Sequence, residues 1–344
     1  MSIRASGLFF SGPFPVNHDG GNSSVRSGSD DREKLNRTPQ GRPGRPRRGR
    51  SARSRIRLAY GLFLILFTLF VLLDTFLIPR NIVRAGGKGG RLSDGGRAIV
   101  TENSYEDDNI RISITTRRVE NTTVYIADVV LSDPSLLQAG LAGDSFGRNL
   151  AEVPSSIAKR NGAVFAINGD YYGFREKGYV LRNGYLYRSV SNTRYPYGED
   201  LAIMEDGSFR IIDEAVVTAQ ELEEEGAQQV FSFGPALVNR GEVRVVEGEE
   251  VERAQITNPR TAIGIIEPLH YCLVVSDGRT RESRGLSLYQ LADLMQELGC
   301  DIAYNLDGGG SSTMWFNGRV LNKPTTYGDV FEERTISVIV YIGY

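Results

Sequence analysis

The stretch NLDGGGSST, residues 305–313, ends an apolar run in Asn305 and Asp307 and continues through Gly308, Gly309 and Gly310 into Ser311, Ser312 and Thr313. Three glycines after a strand permit positive φ and let a ligand approach the backbone. Successive N–H groups in such a loop form a nest for anionic oxygens, and the three hydroxyls add donors. A P-loop is excluded because no G-K-[ST] is present, and the following TMWFNGRVL reads as a hairpin rather than a helix. A carboxylate at the strand's end beside that nest is positioned for chemistry, whereas a tight connection between two strands would need the glycines alone.

Three other strand ends carry similar groups. AVFAINGDYYGF ends in Asn168, Gly169 and Asp170; VVSDGRT ends in Asp277, Gly278 and Arg279; TNPRTAIG places Arg260 just before a strand. Singly these read as ordinary turns with a solvated charge or a surface salt bridge. Together they suggest loops gathered at one edge of a sheet to make a site. The only histidines are His18 and His270. That scarcity excludes a Ser-His-Asp triad, a multi-histidine zinc site and an H-E-x-x-H helix. The chemistry falls to carboxylates, hydroxyls, arginines and backbone. No cofactor is expected; Asp307, Asp170 and Asp277 are oxygen ligands of the kind Ca²⁺ or Mg²⁺ takes, but no EF-hand-like spacing joins them.

The elements that must position these groups are mostly strands. Alternation in 110–119 and 123–132 predicts a hairpin closed around Asn121, and Asn183-Gly184, Asp206-Gly207 and Asn317-Gly318 mark further turns. SDPSLLQAG and VPSSIAKRNG predict short helices. Thr218 with Glu221 and Ser287 with Gln290 are capping-box pairs, the second opening a helix with Leu288, Leu291, Met295 and Leu298 on one face and Gly299 after it. This helix joins two apolar runs, predicting one βαβ crossover with parallel strands in an otherwise antiparallel body. The fold class is therefore α+β with a mixed sheet, in a single domain over residues 98–344. Cys272 and Cys300 lie in apolar runs and are either a disulfide or two buried thiols.

Charge is unevenly spread. Residues 1–57 hold 13 Lys/Arg against 4 Asp/Glu, a net of +9, so the formal −2 of the whole chain leaves −11 for the rest. Between Leu58 and Ile78 lie 21 residues with Asp74 as the only charge, enough to span a hydrocarbon core of about 30 Å. Eight arginines from Arg42 to Arg57 precede the run and predict a single-pass anchor in the cell membrane, with the N-terminus cytoplasmic and the C-terminal domain extracytoplasmic. A cleaved signal peptide fits less well, since the n-region and apolar run are both too long. The Gly-, Ser-, Pro- and Arg-rich arm, 1–57, reads as disordered, with anionic lipid rather than nucleic acid as its partner. Residues 79–97 read as a flexible linker.

FAINGDYY (165–172), SFGPALVNRGE (232–242), NPRTAIG (258–264), the segment 274–314 and ERTISVIVYI (333–342) resemble the phosphodiester glycosidases, the family of the lysosomal uncovering enzyme. The resemblance covers most of residues 155–344. One position departs from it: Asn258 stands where the family commonly has histidine. The resemblance implies hydrolysis between a sugar's anomeric carbon and a phosphodiester oxygen, here in phosphate-linked glycans of a bacterial envelope or exopolysaccharide. It implies Asp307 as base or nucleophile and Asp170 as second carboxylate or sugar ligand. Arg279, Arg260 and the Gly308–Ser312 nest would neutralise the phosphate, while Asn168 and Asn305 orient hydroxyls. Tyr171 and Tyr172 would stack on a sugar or fill the core, and Arg334 would meet phosphate or a strand partner. The rival class is a non-catalytic extracytoplasmic module binding phosphorylated glycans or teichoic-acid-like polymers. It would keep the arginines and could dispense with the aspartates.

Overall fold

The computed structural model describes residues 52–76, 78, 80–85, 95–192, 199–250, 257–326 and 330–344; of the arm 1–57 expected to be disordered, 1–51 lie outside them, as does most of the linker, while 52–57 are the first turns of a helix. Two-residue turns fold most of the body into hairpins. Ile110–Val119 and Thr122–Leu131 are joined through Glu120 and Asn121, both at positive φ (45° and 59°). Asn183-Gly184 and Asn317-Gly318 do the same for their hairpins, with both residues of each pair at positive φ. Such turns match the right-handed twist of the strands they connect.

Among the described residues these hairpins assemble into one nine-stranded sheet, two five-stranded sheets and a two-stranded ribbon. Alternation along the strands then builds two layers of core. Ile263, Leu273, Val275 and Tyr304 of the nine-stranded sheet meet Phe165, Ile167, Val338 and Val340 of one five-stranded sheet and Val180, Leu201 and Phe231 of the other in a common core. The intervening residues face outward, where a helix covers each of the three larger sheets. Leu288–Glu297 packs on Cys272, Val274 and Ala303; Pro154–Arg160 on Ala166, Ile339 and Tyr341; Ala219–Glu224 on Leu181, Ala202 and Val230. Both capping boxes form, and Gly299 follows the longest of these helices at φ 83°.

Four expectations change. Every strand pairing among the described residues is antiparallel, so the sheet is not mixed. The helix Leu288–Glu297 does link His270–Ser276 to Ile302–Asn305, but both strands are antiparallel partners of Thr261–Glu267, which lies between them. They run the same way without pairing. SDPSLLQAG makes only the 3-10 turn Pro134–Leu136 before the strand Leu137–Leu141. Its β-sheet partner Val338–Ile342 supplies backbone bonds that a short isolated helix lacks. Finally, Arg80–Arg84, assigned to the linker, pairs with Ser145–Arg148. Cys272 and Cys300 are both buried free thiols.

N-terminal to the body, the helix Ala52–Phe76 contains an apolar window, Arg55–Thr75, of mean hydropathy 2.4 with none of it buried. By length and composition it suffices to cross a bilayer.

Because Ser287 Oγ satisfies the N–H of Gln290 at 3.1 Å at the start of the helix covering the large sheet, Ser287→Ala is expected to cost about 1 kcal/mol in chemical denaturation. A second test concerns Asp200, wholly buried beside Glu214. Burial, then the Glu214 charge, hold its carboxyl well above the ordinary range, so the fold favours the neutral form. Its contribution is intact below the unfolded value of about 3.9 and is lost as pH rises toward the folded one. Asp200→Asn should therefore stabilise the chain at pH 8 and make little difference near pH 3.5, as read by melting temperature against pH.

Candidate functional site

Two strand ends from different sheets meet at one amide. Phe165–Asn168 belongs to a five-stranded sheet and Ile302–Asn305 to the nine-stranded one. The Asn168 side chain is fully buried. Its Nδ2 donates to the Asp307 carbonyl at 2.6 Å, and its Oδ1 accepts from Thr261 Oγ1 at 2.7 Å and Thr313 N at 3.1 Å. The Asp307 N–H donates to the Gly169 carbonyl at 3.2 Å. Asn168 thus fixes the approach to Asp170 against the approach to Asp307. This is a positioning role, where a sugar-hydroxyl ligand was expected.

The two aspartates line one narrow cleft with Tyr171, Phe174, Ser311, Arg334, Thr335, Ile336 and Ser337. Their environments differ. Burial pushes the Asp307 carboxyl up, while Ser311, Arg334, Arg175 and the Gly308 N–H act the other way. The net shift is upward even though solvent reaches part of the residue. Asp170 instead has an ion partner: its Oδ2 accepts from Arg182 Nη2 at 2.7 Å and from Ser232 N at 3.2 Å. Arg182 is 1% exposed, donates to the Leu181 and Val230 carbonyls, and lies 4.2 Å over the Phe231 ring. The other Asp170 oxygen, Oδ1, is buried with no hydrogen-bond partner among the described residues. One carboxyl is raised by desolvation, and the other is held by a buried cation with an oxygen to spare.

Arg175 acts on Asp307 and was not foreseen. It donates to the Ser232 carbonyl at 3.2 Å and lies 4.9 Å over the Phe233 ring and 5.7 Å over the Tyr171 ring. Its loop is gathered by Arg188, which donates to the carbonyls of Tyr172, Arg175, Lys177 and Gly178. Burial lowers the Arg188 guanidinium to about 10. Neither arginine stands in a recognisable spacing; only the loop brings them to the site. Arg334, read chiefly as a strand salt bridge, is exposed on the cleft lining. Tyr172 is core, stacked on Phe146 at 5.2 Å, whereas Tyr171 faces the cleft.

Other expected ligands are committed elsewhere. Arg260 is buried, with Nε on the Leu286 carbonyl at 2.9 Å and Nη2 on Glu250. Its charge is met by Glu250, so it braces the loop and is not a phosphate ligand in this arrangement. Asp277 accepts from Lys323 N at 2.8 Å, and burial raises its carboxyl. Asn305 donates to the Gly234 carbonyl at 2.8 Å. Arg279 is half-buried, with two N–H groups on Asn258 Oδ1 at 3.2 and 3.1 Å and a third on the Thr326 carbonyl. Asn258 therefore orients Arg279.

Three of the five N–H groups expected to form a nest over Gly308–Ser312 are engaged within the protein. The N–H of Gly309 donates to Pro259 O, those of Ser311 and Ser312 to Gly308 O and Gly309 O, and that of Thr313 to Asn168. Ser311 keeps its hydroxyl toward Asp307, while Ser312 and Thr313 are wholly buried. Glycine is required by crowding: a Cβ would lie 2.8 Å from Pro259 O at Gly308, 2.7 Å from Arg279 Nη2 at Gly309, and 2.3 Å from Thr326 Oγ1 at Gly310. Gly309 also sits at φ 64°. Among the described residues no three of His, Cys, Asp and Glu gather as metal ligands, so Asp277 does not join Asp307 and Asp170 in one set. A wider hollow near Asp144, Arg160 and Tyr344 has its charges paired, Arg160 with Asp144 and Glu152.

Residues 161–343, more than half of the chain, match the model of the phosphodiester glycosidase family. The chain is 32% identical over 181 residues to the SPbeta prophage-derived uncharacterized protein YomE of Bacillus subtilis, a match covering 52% of this chain and 28% of that protein. It is 27% identical over 214 residues to N-acetylglucosamine-1-phosphodiester alpha-N-acetylglucosaminidase of Mus musculus, covering 56% and 39%. The chain thus spans well under half the length of these relatives. The solved catalytic domain of the zebrafish N-acetylglucosamine-1-phosphodiester alpha-N-acetylglucosaminidase, auto-inhibited by its pro-peptide, shares the fold at a TM-score of 0.53. There the identity is 20%, over 78% of this chain and 89% of that one.

The Asp170–Arg182 pair is testable apart from any activity. Removing one partner of a buried pair strands the other charge, so Arg182→Met is expected to destabilise the chain by about 3–5 kcal/mol. Adding Asp170→Asn to that variant should recover much of the loss in denaturant titrations. Additive losses would mean that the two side chains act independently.

Proposed function

The chain belongs to the phosphodiester glycosidase family, and we propose that it is a membrane-anchored hydrolase that cleaves the bond between a sugar's anomeric carbon and a phosphodiester oxygen. The substrates are GlcNAc-1-phosphodiester-like, in phosphate-linked surface glycans, and no cofactor takes part. The observation carrying this reading is that Asp307 and Asp170 line one cleft with Arg334, while Arg175 acts on Asp307. Two carboxyl groups beside a cationic rim suit a glycosyl phosphate: the carboxyls serve the anomeric carbon and the cations serve the leaving group.

In this proposal the two carboxyls divide the work. Asp307, with its affinity for protons raised by burial, takes the proton of the attacking water. Asp170, held by Arg182, faces the positive charge that grows at the anomeric carbon as the C1–O bond breaks. The electron pair of that bond leaves on the phosphate oxygen, where Arg175 and Arg334 offset the added charge. A phosphate is already a good leaving group, so neutralising it matters more than protonating it. The helix Ala52–Phe76 supplies a single-pass anchor, the arginine-rich arm being cytoplasmic and near anionic lipid while the body is outside.

The test is free-sugar release by the detergent-solubilised chain from a panel of sugar-1-phosphodiesters that includes UDP-N-acetylglucosamine. Asp307→Asn is expected to lower kcat/KM by about 100-fold or more. A base must be ionised to act, so activity should fall as pH drops through the raised Asp307 value. The midpoint of that limb should lie above the ordinary aspartate value of about 3.9, and the limb should vanish in Asp307→Asn. Tight binding without turnover, unchanged in the variant, would instead identify a non-catalytic glycan-binding module.

A further inference from the structure

The end of the apolar helix is fastened to the wall of the cleft. Helix Ala52–Phe76 leaves carbonyls without intrahelical partners at its C-terminal end. Asn149 Nδ2 donates to the Thr75 carbonyl at 3.2 Å and to that of Ile78 at 3.1 Å. The chain then enters the strand Arg80–Arg84, which pairs with Ser145–Arg148, the segment leading straight into Asn149. From there the cleft is one hydrogen bond away. Asn149 N donates to the Gly173 carbonyl at 3.0 Å, inside the turn Tyr172–Phe174 whose Phe174 lines the cleft. The next carbonyl, of Leu150, accepts from Ser337 Oγ at 2.8 Å, and Ser337 lines it too. Arg148 adds an ion pair at 2.6 Å to Glu176, in the same loop as Arg175.

We propose that the cleft works at the membrane surface and that its substrate is a glycosyl phosphodiester whose other arm is a lipid in the same leaflet. This rests on the glycosidase and anchor readings above. A catalytic body on a flexible tether samples the space its linker allows. Here the helix end, the ribbon and the cleft wall are joined by hydrogen bonds, which keep the cleft a short, fixed distance from the lipid. Confinement of this kind raises the effective concentration of membrane-bound substrate and disfavours polymers farther out. The ribbon suits an interface: Ile82 and Val83 are 57% and 42% exposed, and Arg84 beside them is exposed as well. Water adds to the anomeric carbon, and the C1–O bond breaks with its electrons passing to the phosphate. The free sugar departs, and the lipid monophosphate stays in the bilayer.

The experiment uses the full chain in vesicles of phosphatidylcholine and phosphatidylglycerol. It compares GlcNAc-1-phosphate esterified to a polyprenol in the same vesicles with the diester of a short water-soluble alcohol. The lipid-linked diester is expected to be hydrolysed with a kcat/KM about tenfold higher or more at equal bulk concentration. A flexible Gly-Ser insertion of about 20 residues directly after Ile78 should collapse that preference to less than about twofold while hydrolysis of the soluble diester persists. Asn149→Gly, which keeps the φ of 57° but removes the amide, should narrow the preference in the same direction. Equal rates on both diesters, or a preference that survives both changes, would overturn the membrane-surface assignment and leave the glycosidase standing. Hydrolysis of neither diester would remove the glycosidase reading and this inference with it.

Discussion

The side chain of Asn168 is where the molecule is held together for its chemistry. Its amide donates to the carbonyl of Asp307 and accepts from Thr261 and Thr313, so one buried residue joins three segments at the junction of two sheets. A buried amide whose donors and acceptor are all matched is stable in one geometry only, since any shift leaves a polar group unpaired in a medium that cannot solvate it. Asp170 lies two residues along one strand end and Asp307 two residues along the other. Their relative placement follows from that bracket.

The unequal environments of the two carboxyls follow from where the sheets bring their neighbours. Asp170 meets Arg182 because the strand Val180–Arg182 pairs with Ala227–Phe231, whose continuation, Ser232, donates to the same carboxylate oxygen. Among the described residues Asp307 has no buried cation against it. Its cations, Arg175 and Arg334, come from loops at the cleft, and desolvation outweighs them. Two acids of the same type are thereby placed in different surroundings, one paired with a buried guanidinium and the other raised by desolvation.

Features governed by neighbours in sequence were legible. The Asn-Gly turns set the hairpins because positive φ at two consecutive residues is a local demand, and both capping boxes formed because Ser/Thr and Glu/Gln three apart meet on any helix start. Asp307, Asp170 and Asn168 were legible as groups at or just beyond the ends of apolar strands, and the cleft brings Asp307 and Asp170 together with Ser311. What the strand ends face was not. Arg260 looked like a phosphate ligand, yet its guanidinium is spent on Glu250, ten residues back in a loop. The glycine run suggested a close-approaching anion, whereas the crowding at its glycines comes from Pro259, Arg279 and Thr326 of the protein itself. Arg175 carried no signal because its relation to Asp307 exists only across sheets.

The sequence by itself determined the apolar helix, the hairpins, the helix caps and the carboxylate-bearing strand ends, because periodicity, turn propensity and capping act over a few residues. Only the tertiary structure decided that all strand pairings described are antiparallel, with Thr261–Glu267 placed between the two strands that the longest body helix connects. It also decided which arginine meets which aspartate, and that the ribbon after the apolar helix binds beside the cleft. These depend on pairings between residues a dozen to more than 100 positions apart, such as Arg182 with Asp170, Asn149 with Thr75 and Asn168 with Asp307. Contacts at that separation are selected by the burial and hydrogen-bond satisfaction of the whole fold, which no local pattern encodes.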